Sequence, residues 1–224
     1  MTALSTSPLE GITFDAVVFD LDGTLIDSHV AMIRSYERWA GEYNISLDRL
    51  PALLGMPSAA VSAALLPPED VESATERIEV LEVTDTEGVV ALPGALAALE
   101  LLPRKRVAIA TSCTDDLMRA RMQAAELPFP DVIVTRDQVS DGKPSPDSFL
   151  LAAERLGVEP SGVLVIEDAP AGIAAARAAG CAVLGIASTK HPDDLAADTV
   201  VGNLSEVTWV IDEDGRVAVA LRTI

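Results

Sequence analysis

Phe14-Asp15-Ala16-Val17-Val18-Phe19-Asp20 runs directly into Leu21-Asp22-Gly23-Thr24. The first seven residues are mostly apolar and β-branched at the centre, which predicts a buried strand. The chain then turns polar, with two carboxylates two residues apart and a glycine that permits a sharp turn. Similar runs recur at 106–111, 131–135, 163–168 and around 181–187, separated by helical patterns at 94–102, 114–126, 146–157 and 170–179. Strands alternating with helices of this length predict right-handed crossovers and a parallel sheet with helices on both faces, an α/β, Rossmann-like core.

Between Ser28 and Leu92 the alternation stops. Helix-like stretches at His29–Tyr43, Ser58–Leu66 and Pro68–Glu82 follow one another with no strand between them. The expected organisation is a core of 1–27 and 93–224, with a small helical cap of 28–92 inserted after the first strand. Pro93-Gly94 would turn the chain back into the core. Asp214-Gly215 lies between two β-rich runs and predicts a hairpin over 208–221.

The 224 residues carry 35 acids against 16 bases, a formal charge of −19. Such a surface repels phosphate backbones, so no nucleic-acid partner is expected. No run reaches the length a membrane helix needs. The first fifteen residues hold Glu10 and Asp15 and no basic segment, unlike a signal peptide. With Cys113 and Cys181 far apart and lacking metal-ligand spacing, a cytoplasmic chain with two buried thiols is expected.

The polar residues fall where the apolar runs end. The first run ends in Asp20 and is followed by Asp22; the second ends in Thr111-Ser112; Lys143 follows the third; the fourth ends in Glu167-Asp168. Each has an ordinary structural explanation as a turn former, a helix cap or an exposed loop. Taken together, at the carboxyl edge of one parallel sheet, they would converge on a crevice where ligands bind. Up to four carboxylates in one small volume need compensation. A hard divalent cation such as Mg²⁺, together with the Lys143 ammonium, would supply it and attract a phosphate despite the acidic surface.

Phe19-Asp20-Leu21-Asp22-Gly23-Thr24-Leu25-Ile26-Asp27-Ser28 resembles the first motif of the haloacid dehalogenase superfamily, and Thr111, Lys143 and Glu167-Asp168 resemble its other three. The chain looks most like the bacterial sugar-phosphate phosphatases with a small helical cap. The resemblance implies that Asp20 is a nucleophile that becomes an aspartyl-phosphate. It implies that Asp22 is acid for the leaving alcohol and then base for water. Thr111 and Ser112 would bind phosphoryl oxygens and Lys143 would neutralise charge. Mg²⁺ would be held by Asp20, the backbone carbonyl of Asp22, Asp168, and Glu167 directly or through water.

Within that superfamily Asp22 argues against dehalogenation, and the absence of lysine from 28–92 argues against phosphonate cleavage. The same segment has four arginines against eleven acids, which should discriminate against a second anionic group. A phosphate on a small sugar or polyol is the expected substrate, with a phosphomutase or a non-catalytic metabolite-binding regulator as the alternatives. The expected partner is a small phosphorylated metabolite, with the chain a monomer or weak dimer. Most cap acids read as a solvated face. Arg34 and Arg38 are candidates to reach the pocket, and the apolar loop Leu54-Gly55-Met56-Pro57-Ser58 departs from the basic loop of such relatives.

Overall fold

The computed structural model describes residues 7–50, 53 and 56–221. The expected first strand is split in two. β1 (Thr13–Phe14) and β2 (Ala16–Phe19) flank Asp15, whose backbone N–H donates to the Gly162 carbonyl at 2.7 Å. β2 is the centre of a six-stranded sheet that also contains β5 (Val107–Ala110), β6 (Val132–Val134), β7 (Val163–Glu167), β8 (Ala182–Ile186) and β9 (Thr199–Val201). Its order is β6-β5-β2-β7-β8-β9, and every neighbouring pair is parallel. β9 was not expected: three residues are too short a run to stand out in the sequence.

Alternate residues of β2 point to opposite faces, and both faces are buried. Val17 and Phe19 join one apolar cluster; Ala16 and Val18 join the other. Helices α4 (Ala95–Leu101) and α5 (Asp115–Ala124) contribute Ala98, Leu99, Met118 and Met122 to the first cluster. α6 (Asp147–Leu156) and α7 (Pro170–Ala179) contribute Phe149, Ala152, Ile173 and Ala176 to the second. The tail forms the expected hairpin, β10 (Val207–Ile211) and β11 (Val217–Leu221), and β1 adds to it as a third antiparallel strand.

α1 (His29–Glu42), α2 (Ser58–Leu65) and α3 (Val71–Thr84) have a small core of their own around Trp39. Trp39 is fully buried, and its indole N–H donates to the Ala74 carbonyl at 2.8 Å. The chain leaves for these helices through β3 (Ile26–Asp27) and returns through β4 (Val90–Ala91). The two pair antiparallel, so the segment is not free of strand as the sequence suggested. Leu54 and Gly55 of the apolar loop lie outside the described residues. No described helix is long and apolar enough to cross a membrane.

Candidate active site

β2 lies between β5 and β7, so the chain after β2 must cross to one side first and to the other later. In open α/β sheets a crevice forms outside the strand ends at such a point. Asp20 follows β2 directly, and its backbone N–H donates to the Ile166 carbonyl of β7 at 2.9 Å. Glu167 ends β7 and Asp168 follows it. These three side chains are buried, and each places a carboxylate oxygen within 4.8 Å of the others. Lys143 reaches in from the loop after β6. Its Nζ donates to Asp20 Oδ1 at 2.5 Å, Glu167 Oε1 at 2.8 Å and the Ala110 carbonyl at 3.1 Å. Glu167 Oε2 accepts from the Ala169 N–H at 2.7 Å, and Asp168 Oδ2 accepts from the Thr189 hydroxyl.

Two backbone approaches make this cluster possible. Gly23 has φ +84°, and a Cβ there would lie 2.7 Å from Asp168 Cγ. Gly172, in the first turn of α7, leaves room for the Glu167 carboxylate; a Cβ would overlap that group and lie 2.7 Å from its Oε2.

Three carboxylates against one ammonium leave excess negative charge out of water. Burial therefore pushes Asp20 well above the usual carboxylate range, with Lys143 opposing and Glu167 and Asp168 adding. Asp168 is pushed up to about 7, mainly by burial and then by Glu167. Burial works against the Lys143 charge, but Asp20 and Glu167 outweigh it and hold the ammonium above its ordinary value. An all-oxygen, over-charged donor set of this kind fits a hard divalent cation.

Asp22 is not a fourth member of the cluster. Its Oδ1 accepts from the Ser28 hydroxyl at 2.5 Å and from Arg121 at 2.9 Å, and its Oδ2 accepts from Cys113 Sγ at 2.9 Å. Of the up to four carboxylates expected in one volume, three come together, and the Asp22 carboxylate is engaged by its own donors. Thr111 is buried at the end of β5, its Oγ1 accepting from the Cys113 N–H at 3.1 Å; Ser112 beside it is exposed.

Residues 17–186 match the sequence profile described as haloacid dehalogenase-like hydrolase. The chain belongs to this family. Hexitol phosphatase A of Escherichia coli is 38% identical over 90% of this chain and 97% of its own length. Glycerol-1-phosphate phosphohydrolase 2 of Saccharomyces cerevisiae is 33% identical over 89% of this chain and 86% of its own. Among solved structures, a hydrolase from Pseudomonas syringae superposes with a TM-score of 0.74 at 32% identity, covering 84% of this chain and 93% of that one.

In this haloacid dehalogenase-like hydrolase several residues around the site escaped the sequence reading. Arg121 of α5 is buried, with NH1 on Asp22 and NH2 on Glu82 Oε1 of α3 at 2.8 Å. Glu82 is one of the eleven acids of 28–92, most of which read as a solvated face, and it is buried. A signal was present. Leu117, Met118, Arg121 and Met122 share the buried stripe of α5, and Ala74, Ile78, Leu81 and Glu82 that of α3. A charge on an apolar stripe marks the residue as buried without naming its partner. Cys113 contacts Asp22 and so is more than a small buried hydrophobe, whereas Cys181 is buried among apolar residues as expected. Arg34 and Arg38 do not serve the pocket: Arg34 clamps Asp85 through two nitrogens at 2.9 and 2.5 Å, and Arg38 pairs with Glu42.

Proposed function

We propose that this protein is a phosphatase that hydrolyses phosphate monoesters of small neutral sugars or polyols through a phosphorylated Asp20. The observation that carries the reading is Asp20 at the tip of the central strand, its Oδ1 neutralised by the Lys143 ammonium at 2.5 Å. This leaves Oδ2 to attack phosphorus in line. The P–O bond to the alcohol breaks as the bond to Asp20 forms, and Asp22 gives its proton to the departing oxygen. Water then attacks the phosphoryl group, returns a proton to Asp22 and frees Asp20 and inorganic phosphate. Lys143 holds positive charge beside the transferred group throughout, and Thr111 and Ser112 are the hydrogen-bond donors for its oxygens. Asp20, Asp168, the Asp22 carbonyl and Glu167 would hold Mg²⁺, which when bound offsets phosphoryl charge. On this reading residues 28–92 are a cap over a core of 1–27 and 93–224.

Substrate choice rests on charge. On this reading a substrate bound at Asp20 extends toward the acidic groove between α3 and the start of α5, which is bordered by Glu76, Glu79, Asp115, Asp116 and Asp137 and by none of the carboxylate-cluster residues. Such a border repels a second anion, so bisphosphates and substrates with a distal carboxylate are disfavoured. The names of the two curated relatives, a hexitol phosphatase and a glycerol-1-phosphate phosphohydrolase, agree with a neutral polyol. A mutase would have to hold a bisphosphate intermediate, which the same border opposes. The test is a panel of hexitol, glycerol and hexose monophosphates beside bisphosphates, with Mg²⁺ and released phosphate as readout. Monophosphates should be cleaved, and chelation or Asp20→Asn should abolish turnover. Phosphate moved between hydroxyls of a hexose without release would overturn the reading.

A further inference from the structure

The α5 guanidinium has no part in the chemistry above, yet among the described residues it is a buried cation with partners on two separate elements. Arg121 is 6% exposed along its side chain, as is Glu82. An arginine withdrawn from water is costly unless paired, and its planar fork can serve two partners at once. Here the two partners come from different parts of the chain. NH1 lies 2.9 Å from Asp22 Oδ1 on the loop after β2, and NH2 lies 2.8 Å from Glu82 Oε1 on α3. NH1 also lies 3.4 Å from Cys113 Sγ, the other donor that α5 and its preceding loop bring to Asp22.

The Asp22 carboxylate is thus fixed from the core side by Cys113 and Arg121 and from the start of the helical segment by Ser28. Its rotamer is not free to choose between facing a leaving oxygen and facing away. Arg121 in turn is held by α3. If α3 moves relative to α5, the pair at Glu82 is strained or broken, and the guanidinium that anchors Asp22 moves with it.

We propose that Arg121 is the positioning residue for Asp22, and that Glu82 makes this positioning depend on where α3 sits against α5. The pair is a clasp: Asp22 is aligned for proton transfer only while the guanidinium bridges both carboxylates. The inference rests on the reading of Asp22 as acid and base, and it adds two residues that touch neither phosphate nor metal.

The experiment uses the full chain with Mg²⁺, glycerol-1-phosphate as alkyl ester and p-nitrophenyl phosphate as aryl ester. Arg121→Met should leave KM for the alkyl ester within about twofold and lower kcat by about tenfold to a hundredfold, part of the effect of a positioned acid–base group. With the aryl ester, whose leaving group departs without a proton, the initial burst of nitrophenolate should keep its rate while steady turnover slows. A purely structural role would slow both phases or raise KM. Glu82→Gln should lower kcat in the same manner, and the double variant should lose no more than Arg121→Met alone. The double variant also removes the unpaired Glu82 charge, so it carries the test should Arg121→Met fail to fold. Wild-type kcat in a folded Arg121→Met or double variant, or losses that multiply in the double variant, overturns the inference. Asp22→Asn separates the two levels. If it turns over the alkyl ester normally, the underlying reading fails; if it is inactive while the Arg121 variants are normal, only the clasp fails.

Discussion

Changing glycine to alanine in two helices of this protein should move stability in opposite directions. Gly172 lies in the first turn of α7, where an added Cβ would overlap the Glu167 carboxylate. Ordinary non-bonded separation is about 3.5 Å, so the carboxylate must move by more than about 1 Å. Its ion pair with Lys143, 2.8 Å long and almost wholly buried, is then lost or distorted. Breaking a buried pair costs about 3 kcal/mol at the low end, fitting here because Lys143 keeps Asp20. Better helix propensity returns at most about 1 kcal/mol. The net loss of about 2 kcal/mol lowers Tm by roughly 4–8 °C for a chain of this length. Because Lys143 and Glu167 shift, kcat for a phosphate monoester should also fall at least about tenfold. Gly41 is the control. It is exposed in the last turn of α1, and nothing lies within 4 Å of its would-be Cβ. Gly41→Ala should raise Tm by up to about 4 °C and leave kcat unchanged. Thermal melts monitored by circular dichroism, paired with phosphate release, measure both. The reasoning fails if Gly172→Ala melts with the wild type and retains its turnover.

Asp168 is held at about 7 in the folded chain against 3.8 for a free aspartate, so the folded form binds a proton that the unfolded form has released across that window. Stability of metal-stripped protein should therefore fall as pH rises from about 4 to 7, by at most roughly 4 kcal/mol. The Tm gain from Mg²⁺ should be larger at neutral pH than near pH 5, and equal gains would contradict the assignment. Burial pushes the Cys181 thiol up to about 11 and that of Cys113 well above its ordinary value. At pH 8 only about one Cys181 in a thousand is then thiolate, so neither thiol should react with a disulfide reagent until denaturant is added; fast labelling of native protein would refute this. Trp39→Phe removes the N–H bond to the buried Ala74 carbonyl and should cost about 1–3 kcal/mol in denaturant unfolding, whereas an unchanged midpoint would mean that the bond is not needed.

The parallel core was legible in the sequence because each strand is a short apolar run and each helix an amphipathic one, patterns set by local geometry. The residues of the carboxylate cluster could be singled out for a related reason. A charged group at the end of an apolar run has to leave the sheet at its edge, so Asp20 and Glu167-Asp168 were fixed to that edge by the runs before them. What the sequence could not contain is direction and partnership. Asp22 was counted with the cluster by its spacing, yet Ser28, Cys113 and Arg121 turn its carboxylate to another set of donors. Glu82 and Arg121, 39 residues apart, read separately as members of a solvated face and an ordinary helix. Only the packing of α3 on α5 brings them together. The two-residue strands β3 and β4 and the short β9 exist because a neighbour is there to accept their hydrogen bonds. Apolar period and strand-end chemistry are properties of a local stretch of chain and survive in one dimension. The pairing of buried charges depends on which surfaces meet, and that is decided only when the chain closes on itself.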